Sequence, residues 1–180
     1  MKATGIVRRI DDLGRVVIPK EIRRTLRIRD GDPLEIYTEK DGEVIFKKYS
    51  PMGDLQEFAA QICDSIGKNA GHAAAVCDRD SIIAVSGAPK RELLDKRNSP
   101  ELEQIMEQRR LYCHRQGDAL LPAVDGGEKW HIGVAAPILS EGDLMGCVLI
   151  LLSDSEAQVG EAEQKLAQTV SGFLGRQMEA

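Results

Sequence analysis

The chain has 180 residues, of which 42% are hydrophobic but only 4% aromatic, and its formal net charge is −5. That length admits one large domain or two small ones, and any core must rest on Ile, Leu, Val and Ala. No stretch approaches the roughly 20 apolar residues that cross a bilayer. Residues Met1 to Gly5, followed by Arg8 and Arg9, lack a signal-peptide core, so a cytoplasmic protein is expected. The charge is unevenly placed. Residues 1–29 hold nine Lys or Arg against three acids, a net of +6, which leaves −11 for residues 30–180. A basic end on an acidic body points to a polyanion met by the end alone.

Residues 4–10 and 15–18 read as two short strands joined by Asp11-Asp12-Leu13-Gly14, where Gly14 supplies a positive φ. Pro19 cannot continue a central strand but suits the start of a helix. Residues 20–27 then make about two helical turns, with Ile22 and Leu26 on one face and Lys20, Arg23, Arg24 and Arg27 elsewhere. Asp30-Gly31-Asp32-Pro33 ends that helix. Residues 34–37 and 43–48 form a hairpin turned at Asp41-Gly42, with Val44 and Phe46 on one face. The order is β-β-α-β-β. A unit below roughly 50 residues with no disulfide or metal rarely buries enough apolar area to fold alone. A second copy is the natural remedy.

Residues 51–55 read as a linker between a first domain (1–50) and a second (56–180). Asp54 is placed to cap a helix, with Glu57 at the capping-box position and Gly67 as the stop. Leu55, Phe58, Ala59, Ile62 and Ile66 line its face. Strands follow at 72–77 and 81–86, then a helix from Ser99-Pro100 to about Arg110 with Leu102, Ile105 and Met106 inward. Residues 112–128 give no pattern. Residues 130–139 and 144–152 are two strong strands, the second apolar throughout as a central strand would be. A last helix over 156–178 places Val159, Ala162, Leu166, Val170, Phe173 and Met178 on one stripe. The fold class is α+β.

The run Asp12-Leu13-Gly14-Arg15-Val16-Val17-Ile18-Pro19, then Glu21 to Leu26, Gly31-Asp32 and Leu34-Glu35-Ile36, resembles the AbrB family of swapped-hairpin transition-state regulators. The match covers residues 3–49. The remainder is similar to GAF-type sensor domains in its order of elements. The pairing, with the ending Gly172 to Glu179, resembles regulators of endospore formation. These resemblances imply a swapped-hairpin barrel built by two chains, double-stranded DNA as partner, a GAF-like antiparallel sheet with flanking helices, and target genes under the late forespore sigma factor. Carried over by position, the DNA contacts are Arg8, Arg9, Arg15, Arg23 and Arg24, with Lys2 as an extra one. Guanidinium groups suit this work because they bind phosphates bidentately and read guanine edges. The second domain would drive tetramerisation or sense an unknown effector.

Arg8 and Arg9 are adjacent on a strand, so one of them is expected to serve the barrel instead. His72, His114 and His131 are scattered, and Cys63, Cys77, Cys113 and Cys147 form no paired CxxC motif, so no metal, cofactor or catalytic role is expected. The cysteines read as small apolar packing residues. Two other readings stay open. Antitoxins share the barrel but carry a short tail where this chain has about 125 patterned residues. A sensor would hold its ligand on the concave face of the sheet, under residues 87–128. The cell nucleoid is the expected location.

Overall fold

The computed structural model describes residues 4–52, 55–153 and 158–179. The chain divides into two compact units, Met1–Tyr49 and Ser50–Ala180.

The first unit contains helix α1 (Lys20–Leu26) and an antiparallel hairpin of β1 (Leu34–Thr38) and β2 (Val44–Lys48). The pairing sets Ile36 opposite Phe46 and Thr38 opposite Val44, so Leu34, Ile36, Val44 and Phe46 share one face. The turn is longer than two residues. Glu39 N–H donates to the Glu43 carbonyl, Gly42 N–H donates to the Glu39 carbonyl, and Gly42 takes φ +83°. The strands expected over 4–10 and 15–18 form no ladder within the one chain. Asp11 N–H donates to the Arg15 carbonyl at 3.0 Å at the base of the turn between them, and Val7 is left 88% exposed. Pro19 is the one buried residue among those described in this unit.

The second unit is a five-stranded antiparallel sheet in the order β4-β3-β7-β6-β5. Its strands are β3 (Ala73–Asp78), β4 (Ile82–Ser86), β5 (Tyr112–Cys113), β6 (His131–Ser140) and β7 (Asp143–Leu152). Glu141 (φ 49°) and Gly142 (φ 89°) make the two-residue turn between β6 and β7, as a primed hairpin turn requires. β7 lies at the centre, and its residues from Gly146 to Leu152 are buried, which explains its unbroken apolar run. Alternate residues feed two cores. Helices α2 (Gln56–Ala70) and α5 (Glu161–Gln177) cover one face with Ala59, Cys63, Ile66, Ala167 and Leu174. Helices α3 (Lys90–Leu93) and α4 (Pro100–Glu107) cover the other with Leu93, Leu102, Ile105 and Met106. That second face was the expected ligand site, and packed side chains occupy it. Ser99 caps α4 by accepting from Leu102 N–H at 3.0 Å.

Several boundaries differ from the sequence reading. α2 runs through Gly67 and stops at Gly71, which takes the left-handed φ of 68° that a C-cap needs. The Asp54 cap lies outside the described residues. α3 was not foreseen, and β5 falls in the unpatterned 112–128 stretch. On α5 the buried stripe is Ala167, Ser171, Leu174 and Gly175, while Ala162 and Phe173 are exposed. Gly175 sets that rotation, because a Cβ there would stand 2.1 Å from the Leu139 carbonyl oxygen. Cys63, Cys77 and Cys147 are buried in the two cores. Burial pushes all three thiols up, Cys63 to about 12, so they remain neutral packing groups.

Gly146 makes a similar close approach in the sheet. A Cβ on it would meet the Cys77 carbonyl oxygen at 2.0 Å. Gly146→Ala is therefore expected to destabilise the second unit by about 3 kcal/mol through overpacking. Urea unfolding followed at Trp130 checks this; an unchanged midpoint would contradict it.

Candidate nucleic-acid interface

The basic end owes its shape to two local devices. The first is the turn after Asp11. Its carbonyl accepts from Gly14 N–H at 2.9 Å, and Asp11 Oδ1 accepts from Leu13 N–H and Arg15 N–H at 3.0 and 2.8 Å. Gly14 takes φ +74°, which a Cβ would disfavour. Asp11 Oδ2 then pairs with Arg15 Nε at 2.8 Å. The Arg15 backbone N–H first, and its guanidinium second, hold the Asp11 carboxyl below the usual range. Arg15 thus projects from a fixed turn, its side chain still 70% exposed.

The second device pins α1. Pro19 starts the helix, and Arg27 ends it in the left-handed conformation (φ 54°), donating to the Arg23 and Arg24 carbonyls. Lys48 Nζ on β2 donates to the Arg27 carbonyl at 3.0 Å and pairs with Asp32 Oδ2 at 3.3 Å. Asp32, buried at its side chain, also accepts from Arg29 N–H. The helix end is thereby tied to the hairpin.

These supports sort the arginines. Arg8, Arg9 and Arg24 are exposed and form no ion pair among the described residues. Both members of the Arg8-Arg9 pair are exposed, so neither is buried in this unit. Arg15 is paired with Asp11, and Arg23 is held more tightly still. Its Nη1 pairs with Asp30 Oδ1 at 2.6 Å, its side chain is only 36% exposed, and its buried Nε has no partner among the described residues. Lys2 lies outside the described residues. Sequence reasoning missed Asp11, Asp30, Asp32 and Lys48 as the groups that hold this surface. An Asp four residues before Arg15, across a turn glycine, was the available signal for the first of them.

Comparison with known proteins decides the assignment. Residues 54–179 match the family described as stage V sporulation protein T C-terminal, transcription factor. Residues 7–54 match antidote-toxin recognition MazE, bacterial antitoxin. Stage V sporulation protein T of Bacillus subtilis is 51% identical over 181 residues, covering 99% of each chain. The chain belongs to the stage V sporulation protein T family. It is a DNA-binding transcriptional regulator of sporulation. The match to that one relative runs over nearly the whole length and so includes the second unit that an antitoxin reading left unexplained. Over the first unit, the transition state regulatory protein AbrB of B. subtilis is 63% identical across 51 residues, 28% of this chain and 52% of that protein. The second unit has the fold of GAF domains. That of a Coxiella burnetii phosphoenolpyruvate-protein phosphotransferase aligns with a TM-score of 0.53 at 19% identity, covering 68% of this chain and 80% of that one. Among the described residues, no helix is long and apolar enough to cross a membrane.

Proposed function

We propose that two copies of the N-terminal unit complete one swapped-hairpin barrel and grip duplex DNA through Arg8, Arg9, Arg15, Arg23 and Arg24 of each, with Lys2 adding a contact. One observation carries this reading. The face bearing Ile36, Val44 and Phe46 is exposed in the single chain, in a unit where only Pro19 among the described residues is buried. An apolar face of that kind on a small unit is covered by a partner. Arg8, Arg9 and Arg24 would reach phosphates directly, and Arg15 would do so from its Asp11 ion pair. Arg23 would act from the Asp30 ion pair, which fixes its guanidinium before DNA arrives. With no long recognition helix, such a module suits the reading of DNA shape as well as base edges.

The proposed domains are 1–50 for DNA, 51–55 as linker, and 56–180 for regulation. The GAF-like unit would sense an effector and join dimers into tetramers through α2 and α5, where the rings of Phe58 and Phe173 lie 5.9 Å apart between centroids, tilted by 50°. The targets would be late forespore genes, and the site of action the nucleoid in the cytoplasm.

Arg15→Ala and Arg24→Ala each remove two contacts per dimer. Each is expected to weaken binding of a fixed duplex roughly 10²- to 10⁴-fold at constant salt, since two hydrogen bonds to charged groups, each worth about 1.5–3 kcal/mol, are lost. Fluorescence anisotropy gives the affinity, and light scattering gives the assembly. Unchanged affinity with an unchanged assembly would overturn the contact assignment.

A further inference from the structure

Asp11 and Arg15 are joined by three hydrogen bonds. Asp11 N–H donates to the Arg15 carbonyl at 3.0 Å, Arg15 N–H donates back to Asp11 Oδ1 at 2.8 Å, and Arg15 Nε donates to Asp11 Oδ2 at 2.8 Å. Leu13 N–H shares Oδ1 at 3.0 Å, so the carboxylate itself is fixed by the backbone. One acidic residue thus holds both the main chain and the guanidinium of the same arginine. Arg8, Arg9 and Arg24 have no such support among the described residues. Asp30 also holds Arg23, but Arg15 stands further into solvent, its side chain 70% exposed against 36%. The Asp11 bond occupies Nε and leaves Nη1 and Nη2, a fork that meets a phosphate bidentately. Phosphate and Asp11 therefore use different N–H groups, and the arginine can bind DNA without leaving the carboxylate.

We infer that Asp11 is a specificity-determining residue of the DNA interface, a positioning group that makes Arg15 answer to the shape of the duplex as well as to its charge. A free arginine swings to the nearest phosphate on any duplex, and the cost of ordering it is the same whatever the sequence. A held arginine meets a phosphate only where the DNA backbone brings one to it. Phosphate positions follow groove width and bending, which depend on base sequence even where no base is touched. In a dimer the two held guanidiniums would gauge one phosphate-to-phosphate spacing across the site. The carboxylate has a second effect of the same sign. Its negative charge beside the contact lowers the attraction for phosphates that stand elsewhere, so unrelated DNA is held less well. Asp12 supplies the internal comparison. It carries the same charge one residue away, and its side chain makes no hydrogen bond or ion pair among the described residues.

This inference rests on the reading of Arg15 as a DNA contact, and the two fail separately. Full-length protein first enriches a duplex from a random pool. Fluorescence anisotropy then compares that duplex with a scrambled one of equal length and base composition, at one salt concentration. Asp11→Asn keeps an oxygen for the Leu13 and Arg15 N–H groups but releases the guanidinium. The ratio of the two affinities is expected to fall at least roughly tenfold, with the scrambled duplex bound several-fold more tightly. Asp12→Asn removes the same charge and should leave the ratio as it was. Light scattering reads the assembly; if Asp11→Asn loses it, Asp11→Ser, whose hydroxyl serves the same turn, takes its place. An equal loss on both duplexes would show a merely structural role, and an equal gain on both would show charge alone; either overturns the inference. So would an equal fall of the ratio in Asp12→Asn, or a pool that yields no preferred duplex. Arg15→Ala binding both duplexes at full affinity would instead overturn the contact itself.

Discussion

Raising NaCl from 50 to 200 mM is expected to weaken binding to a fixed duplex by roughly 10³- to 10⁵-fold, the loss for a protein that neutralises about 6–10 phosphates. Two copies of five arginines supply about that number of cations in one assembly. Each guanidinium that meets a phosphate releases condensed counterions, and added salt opposes that release. Arg8, Arg9, Arg15 and Arg24 stand exposed on this unit, and the −11 charge of residues 30–180 gives the remainder of the chain no comparable attraction for DNA. Arg24→Ala should flatten the slope of log affinity against log salt by nearly 2, because each dimer loses two cations. Anisotropy titrations at four salt concentrations measure it. A shallow slope in the unsubstituted protein would mean that few of these arginines touch phosphate.

Phe46→Asp is expected to abolish assembly of the N-terminal unit and to weaken DNA binding at least roughly 100-fold. Phe46 sits across from Ile36 on the exposed apolar face and is itself 40% exposed in the single chain. Burying such a side chain is worth about 1.5–3 kcal/mol, and the two-fold relation doubles the loss. A carboxylate at the same position adds the cost of desolvating a charge, so the partner's apolar face is rejected outright. The second unit has its own two cores and should melt at the same temperature. Sedimentation velocity and thermal melting separate these outcomes. A Phe46→Asp chain that still assembles through residues 1–50 and binds DNA normally would show that this face is not the seam.

The C-terminal sheet was legible because its strands announce themselves in more than one way. β7 is apolar at nearly every position, Ser140 to Asp143 carries a glycine turn, and Ser99-Pro100 carries both a cap and a helix start. What the sequence concealed depends on contacts remote in the chain. α5 looked as if Phe173 faced inward, yet the approach of Gly175 to the Leu139 carbonyl turns the helix about its axis. Gly67 and Gly71 are equal as sequence signals, and only packing against the sheet selects the later one as the stop. β5 is two residues long and owes its existence to β6. In the basic end the arginines were visible as a pattern, but their inequality was not. Asp30 lies seven residues from Arg23, and the loop that brings them to 2.6 Å is set by Gly31 and by the Asp32–Lys48 pair. The strands expected over 4–10 and 15–18 form no ladder in the single chain.

The central claim is that DNA is held by a unit made of two chains. Sedimentation velocity of the full-length protein on a fluorescent duplex carrying one binding site tests it most directly, because the mass of the complex counts the chains. Only even numbers of chains per duplex are expected, at every protein concentration that gives binding. A duplex bound at full affinity by one chain would contradict the claim.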